Sequence, residues 1–208
     1  MKRFYVVTHG QAQHHLDHVV GGWFDSRLTA KGIEQARHLA RFFPTLQLPE
    51  RTAIYSSDLL RCRETAEIVA DALGIETVFD EQLREMSFGS HEGMDQARHN
   101  GIMTPAAESP DGRMDHAICE GAETRRQFAT RLADFVQGLD SELECAVIVT
   151  HGFAASFLIS ALQRVPVESM GFVSFKMSPG GVSELVEDDL FKNVTLTRLN
   201  IAVPVMGA

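Results

Sequence analysis

The amino-acid sequence predicts an α/β fold: a three-layer sandwich with a largely parallel central sheet and helices on both faces. Three observations carry this expectation. Short β-branched and aromatic runs, Phe4-Tyr5-Val6-Val7 and Ala146-Val147-Ile148-Val149, read as buried strands. Segments of helical period lie between such runs. Strands and helices alternate along the chain, and parallel neighbours need a crossover that a helix supplies.

The elements follow in order. After the strand at Phe4–Val7 comes a polar loop rich in His and Gly, from Thr8 to about Ser26. Thr29 is a candidate N-cap for a helix over Ala30–Phe43, in which Ile33, Ala36, Leu39, Ala40 and Phe43 share a face. Pro44 and Pro49 flank its end. Ala53-Ile54-Tyr55 reads as a second strand. Asp58 is a candidate cap for a helix through Leu59 to Leu73, which Gly74 ends. Thr77-Val78-Phe79 reads as a third strand. From Glu85 to about Cys119 the pattern weakens into Gly, Pro, His and Met, an irregular lid-like excursion with short helices. Its Met86, Phe88, Met94, Met103 and Met114 form either an apolar pocket wall or simple core filling. Glu123–Leu139 and Phe153–Leu162 read as helices on either side of the Ala146–Val149 strand. Gly171–Phe175, Val182–Val186 and Thr195–Leu199 read as strands, the last two joined as a hairpin through Glu187–Asn193. The expectation is one domain over 1–208 with the excursion at about 85–119.

Composition narrows the function. A net charge of −9 argues against a general nucleic-acid or anionic-membrane partner, which would need a basic face. No apolar run approaches the roughly 20 residues of a membrane span, and the basic start Met1-Lys2-Arg3 precedes too short an apolar run for a signal peptide. The three cysteines, Cys62, Cys119 and Cys145, are odd in number and widely spaced. That reads as a reducing, cytoplasmic location rather than a disulfide framework. Edge strands near the C-terminus offer a route to a homodimer.

One tripeptide occurs twice. The first strand runs into Thr8-His9-Gly10, and the Ala146–Val149 strand runs into Thr150-His151-Gly152. Each places an imidazole at the carboxyl end of a buried strand, where open α/β sheets bind ligands. Glycine after each His lets the backbone turn closely. If the two strands are neighbours, the imidazoles converge.

These blocks carry a resemblance. Thr8-His9-Gly10-Gln11, then Gly22-Trp23-Phe24-Asp25, then Leu28-Thr29-Ala30-Lys31-Gly32 with Gln35-Ala36, keep the spacing of the histidine phosphatase (phosphoglycerate mutase-like) superfamily. So do Tyr55-Ser56-Ser57-Asp58-Leu59-Leu60-Arg61 with Glu64-Thr65-Ala66. Leu83-Arg84-Glu85 with Gly89 and Glu92-Gly93, Gly121-Ala122-Glu123-Thr124, and His151-Gly152 complete the order. The chain resembles that superfamily from the first strand to past His151, and the Gly-Trp-Phe-Asp block is similar to its phosphoglycerate mutase branch.

The resemblance implies a chemistry. Phosphoryl transfer needs an in-line nucleophile, positive charge around the equatorial oxygens and an acid for the leaving oxygen. It makes His9 the nucleophile through a phosphohistidine, Glu85 the general acid and base, and a protonated His151 the stabiliser of the transition state. Phosphate would sit among Arg61, Thr8, Gln11, His15 and Gly22, with Arg61 offering a planar fork. No cofactor and no metal are implied, and the partner is a small phosphorylated substrate.

The chain departs from the pattern at Thr8, where the superfamily has an arginine, and at Ser156, where another often stands. Ala12 and His15 replace a hydroxyl residue and an Asn. The loop carries His14, His15, Asp17 and His18 instead. Three readings of that cluster stand open: a donor to phosphate from His15 or His18, a solvated loop, or a site for zinc or a similar cation. Three functions follow: a phosphatase of small phosphorylated metabolites, a catalytically impaired binder of a phosphorylated ligand or protein, and a mutase.

Overall fold

The computed structural model describes residues 1–202. The chain runs β1 (Lys2–Thr8), α1 (Gln13–Leu16), α2 (Ala30–Phe42), β2 (Thr52–Ser56), α3 (Leu60–Leu73), β3 (Thr77–Phe79), α4 (Gln96–Ile102), α5 (Pro110–Met114), α6 (Arg125–Gln137), β4 (Cys145–Thr150), α7 (Gly152–Leu162), β5 (Gly181–Glu187) and β6 (Val194–Ala202). The sheet order is β3-β2-β4-β1-β5-β6. The first four strands are mutually parallel, and β5 and β6 join antiparallel. The sheet is therefore largely parallel, with a hairpin at one edge as the sequence predicts.

Alternation of side chains along the strands builds two cores. Tyr5, Val7, Ile54, Val147 and Val149 face α2 and α3, meeting Leu39, Cys62, Ala66 and Val69. Phe4, Val6, Ala146 and Ile148 face α6 and α7, meeting Phe128, Leu132, Phe157 and Leu158. β4 is central and buried from Cys145 to Thr150, which is why it is the most uniformly apolar strand. α7 is buried from Ala154 to Leu162, as a helix that is apolar all round must be. Helices thus cover both faces.

Local signals hold at several ends. Thr29 accepts from Gly32 N and caps α2. Thr124 and Gln127 form a capping box on α6. Gly74 closes α3 with a φ of 66°. Three expectations change. Asp58 does not cap α3; it takes a two-pronged contact from Arg84, and Asp25 instead accepts from Leu60 N at 2.8 Å. Residues 171–175 are not a strand; a 3-10 turn covers Val167–Phe172, and Ser156 accepts from Phe175 N. The polar loop contains the one-turn helix α1. In the 85–119 excursion, α4 and α5 are the short helices, and Met86 and Met114 fill the core while Phe88 reaches the candidate site. Among the described residues, no helix is long and apolar enough to cross a membrane.

Candidate active site

β1 and β4 are parallel neighbours with Thr8 opposite Thr150. His9 and His151 therefore leave the sheet side by side. His9 N donates to Thr150 O at 3.0 Å, and the ring centroids lie 5.1 Å apart. Gly10 is needed for a close approach: a Cβ there would strike the Gly32 backbone at the start of α2. At Gly152 a Cβ would meet nothing within 4 Å. The second glycine opens space for a ligand rather than tightening a turn.

Arg61 enters from the first turn of α3 and is 1% exposed. Its Nη1 and Nη2 donate to the carbonyls of Phe24 at 3.0 Å and Gly22 at 2.6 Å. Its Nε lies 3.3 Å from His9 Nε2 and 3.2 Å from His151 Nδ1. None of these partners is a carboxylate. A buried guanidinium hydrogen-bonded only to neutral groups is costly, and an anion in the cavity would offset that cost.

The hydrogen bonds fix both tautomers. His9 Nδ1 faces Gly10 O at 2.7 Å. A carbonyl only accepts, so Nδ1 carries the proton and Nε2 offers its lone pair. His151 Nδ1 accepts from Arg61, leaving the proton on Nε2, 2.9 Å from Ser57 Oγ. Burial, and after it the Arg61 charge, holds both imidazoles well below their usual pKa. His9 is thus neutral, with an unprotonated Nε2. His151 is neutral too in the absence of an anion; the expected protonation concerns the site with a phosphate dianion beside it.

Glu85 follows the 3-10 turn at Glu81–Leu83. Its Oε2 accepts from Phe153 N and its Oε1 from Ala154 N, both at 3.0 Å, and Oε1 from Met86 N at 2.9 Å. These amides favour the carboxylate, yet burial outweighs them and raises its pKa. A carboxyl whose pKa is raised in a pocket is suited to general-acid work. Arg131 of α6 fixes this segment: it donates to the carbonyls of Gln82, Arg84 and Glu85 at 2.7–2.8 Å. Trp23 Nε1 also donates to Glu85 O at 2.7 Å.

The His cluster separates by role. His15 Nδ1 accepts from Ala12 N at 3.1 Å, so its Nε2 carries the proton. Its ring is stacked 5.8 Å from that of His9. His14 is buried with Nδ1 2.6 Å from Ser26 Oγ, and burial lowers its pKa to about 3. Asp17 accepts from Gln13. Among the described residues, no group of three or more His, Cys, Asp or Glu is arranged to hold a metal ion. His14, His15 and Asp17 are each hydrogen-bonded elsewhere, to Ser26, Ala12 and Gln13.

His9, Arg61, Glu85 and His151 line one cavity of about 370 Å³ with His14, His15, His18, Val19, Gly21, Gly22, Phe88, Gln96 and Gly152. Thr8 and Gln11 do not line it. Thr8 Oγ1 donates to Ser178 O at 2.5 Å and accepts from Gly181 N at 3.1 Å. Gln11 Oε1 accepts from Thr29 Oγ1 at 2.9 Å. Both are spent on loop anchoring. Ser156 is likewise tied to Phe175. Thr8 borders only a side recess of about 110 Å³, shared with His9, His15 and Met177. A larger depression of about 600 Å³, at Phe4, Leu139 and Val165, contains none of the site histidines. The sequence reading missed Ser57, Arg131, Val19 and Gln96. Of these only Arg131 carries a signal, lying on the helix that begins just after Glu123, its partner at 2.7 Å.

Comparison with known proteins agrees with this geometry. The model of the histidine phosphatase superfamily (branch 1) matches residues 4–200. A Hydrogenobacter thermophilus protein assigned provisionally as a phosphoserine phosphatase is 32% identical over 191 residues, covering 89% of each chain. The α-ribazole phosphatase structure of Shigella flexneri superposes with a TM-score of 0.80 at 27% identity, over 99% of this chain and 100% of that one. A mycobacterial glucosyl-3-phosphoglycerate phosphatase in complex with VO3 gives a TM-score of 0.80 at 26% identity, over 96% and 99%. With the family match spanning nearly the whole sequence and the paired histidines at adjacent strand ends, the chain belongs to branch 1 of the histidine phosphatase superfamily.

Proposed function

We propose that this protein hydrolyses small phosphomonoesters through a phosphohistidine at His9. The observation that carries the reading is the His9 tautomer: Nδ1 donates to Gly10 O while the Nε2 lone pair faces Arg61 and the cavity. The Nε2 lone pair attacks phosphorus as the bond to the ester oxygen breaks. Glu85 gives its proton to the departing alkoxide. Arg61, the His15 Nε2–H and His151 stabilise the phosphoryl oxygens, and the dianion favours protonation of His151. The Glu85 carboxylate then takes a proton from water, whose oxygen attacks phosphorus. The N–P bond breaks, returning neutral His9 and inorganic phosphate. Acid quenching during turnover of a 32P-labelled ester tests this. Label on the protein that vanishes in His9→Ala is expected, and undiminished turnover in that variant would refute it.

A second reading is a protein that holds a phosphorylated ligand with little turnover. It is favoured by Thr8, whose hydroxyl is spent on Ser178 and Gly181, leaving Arg61 the sole guanidinium lining the cavity. The Thr8→Arg variant separates the two, as set out in the Discussion.

A further inference from the structure

The cavity has a floor and a mouth. The floor holds His9, His151, Arg61 and Glu85. The mouth is formed by His18, Val19 and Gly21 on one side and Phe88 and Gln96 on the other. Backbone bonds stitch these sides together. Gln96 N donates to His18 O and Val20 N to Met94 O, both at 2.8 Å, and Val19 bridges to Asp95. Phe88 is wedged as well. Its ring sits so close to Gly22 that a Cβ there would fall 2.8 Å from it, and the His99 ring lies edge-on at 5.7 Å. The mouth is therefore preformed.

Its charge is unusual for a site that takes phosphorylated compounds. Counting His as neutral, Arg61 and Glu85 are the only charged residues among the described residues that line the cavity, and both belong to the floor. Both Nη atoms of Arg61 are engaged with carbonyls. The mouth offers an aromatic face, a β-branched wall, and the hydrogen-bonding groups of Gln96 and His18. A second anionic group on the substrate would meet no lysine or arginine at the mouth, with the Glu85 carboxyl lining the same cavity. The chain's net charge of −9 adds a repulsive field against a more highly charged ester.

Resting on the phosphatase reading, we infer that the substrate is a phosphomonoester whose alcohol part carries no second anion and lays an apolar or aromatic face on Phe88 and Val19. Phosphorylated hydroxycarboxylates are disfavoured by the same mouth.

Glycerol 3-phosphate and 3-phosphoglycerate make a matched pair, differing in a hydroxymethyl against a carboxylate. kcat/KM is expected to favour glycerol 3-phosphate by about tenfold or more, with benzyl phosphate better still, since unpaired polar burial discriminates strongly. Equal or better use of 3-phosphoglycerate overturns the inference. Val19→Arg is expected to shift the ratio of the two kcat/KM values about tenfold toward 3-phosphoglycerate; Gln96→Arg, at an exposed position, serves if the first variant does not fold. An unmoved ratio in a folded variant overturns the mouth as the selecting element. Trapped phosphoenzyme distinguishes the failures. Phosphohistidine formed preferentially from 3-phosphoglycerate sinks the inference alone, whereas no phosphohistidine from any ester sinks the phosphatase reading and the inference with it.

Discussion

Arg131 Nη2 donates to the backbone carbonyl of Glu85 at 2.7 Å, so a helix on the far side of the site holds the main chain of the candidate acid. The same guanidinium pairs with Glu123, and both side chains are only 16% exposed. Glu123 in turn accepts from Ser87 N at 2.8 Å. Arg131 does not line the cavity but holds the backbone on which the Glu85 carboxyl is mounted.

Replacing Arg131 by Met leaves Glu123 largely buried without its charged partner and the carbonyls of Gln82 and Arg84 without a side-chain donor, while Glu85 O keeps Trp23. Breaking such a pair costs about 3 kcal/mol, or about 10 °C in Tm for a chain of this size. A thermal melt checks the loss. The pH profile of kcat checks the positioning role, because a shifted Glu85 also shifts the alkaline limb. A lowered Tm with an unmoved profile would leave Arg131 purely structural.

The pH dependence of kcat/KM follows from opposite shifts. His9 is held well below its usual value by burial, then by Arg61, and must be neutral to attack. Glu85 is raised by burial and must be protonated to donate. Activity is expected to rise as pH climbs through the lowered His9 pKa and fall as it passes the raised Glu85 pKa, giving an optimum on the acid side. Glu85→Gln removes the descending limb along with most of the rate, about 10²–10⁴-fold. A rate that keeps climbing above neutral pH in the wild type would contradict the assignment.

Stability carries its own signature. His9, His14 and His151 have folded pKa values below the unfolded value of 6.5. The unfolded chain therefore binds more protons below that pH, and stability, complete above about 6.5, declines as pH falls. Denaturant midpoints from pH 7.5 to 4.5 should drop in the wild type and drop less in His14→Phe.

Thr8→Arg trades structure for charge. It removes the Thr8 hydroxyl from Ser178 and Gly181, at about 1 kcal/mol for each bond. The neighbouring recess of about 110 Å³ gives the longer side chain room toward His9. A charge-assisted bond to phosphate is worth about 1.5–3 kcal/mol, or roughly one to two decades in rate. Lower Tm with faster hydrolysis is expected. Slower hydrolysis in a folded variant would instead mark the natural site as specialised around Thr8.

His15→Ala removes a donor whose tautomer is fixed by Ala12 N. A drop in kcat/KM of about tenfold is expected, the scale of one hydrogen bond to a charged group. An unchanged rate would return His15 to the solvated loop.

The sequence by itself determined every sheet strand and the paired histidines through local periodicity, and its resemblance to a known superfamily singled out Arg61, Glu85 and His151; only the strand expected at 171–175 failed. Phe4–Val7 and Ala146–Val149 are apolar for a reason that needs no partner to be known: both lie buried inside the sheet. Tertiary structure decided what each polar side chain faces. Thr8 and Gln11 sit beside His9 in the chain, yet the turn at Ser178 and the cap at Thr29 claim them. Asp58 looks like a cap and is an ion-pair partner of Arg84 instead. Arg131 and Gln96, distant in sequence, reach the site only because α6 packs under Glu85 and α4 is stitched to His18. A buried hydrogen bond is settled by whichever partner the fold brings within reach, and spacing along the chain does not encode that competition. The repeated Thr-His-Gly placed two imidazoles at strand ends; the parallel pairing of β1 and β4 made them one site around Arg61.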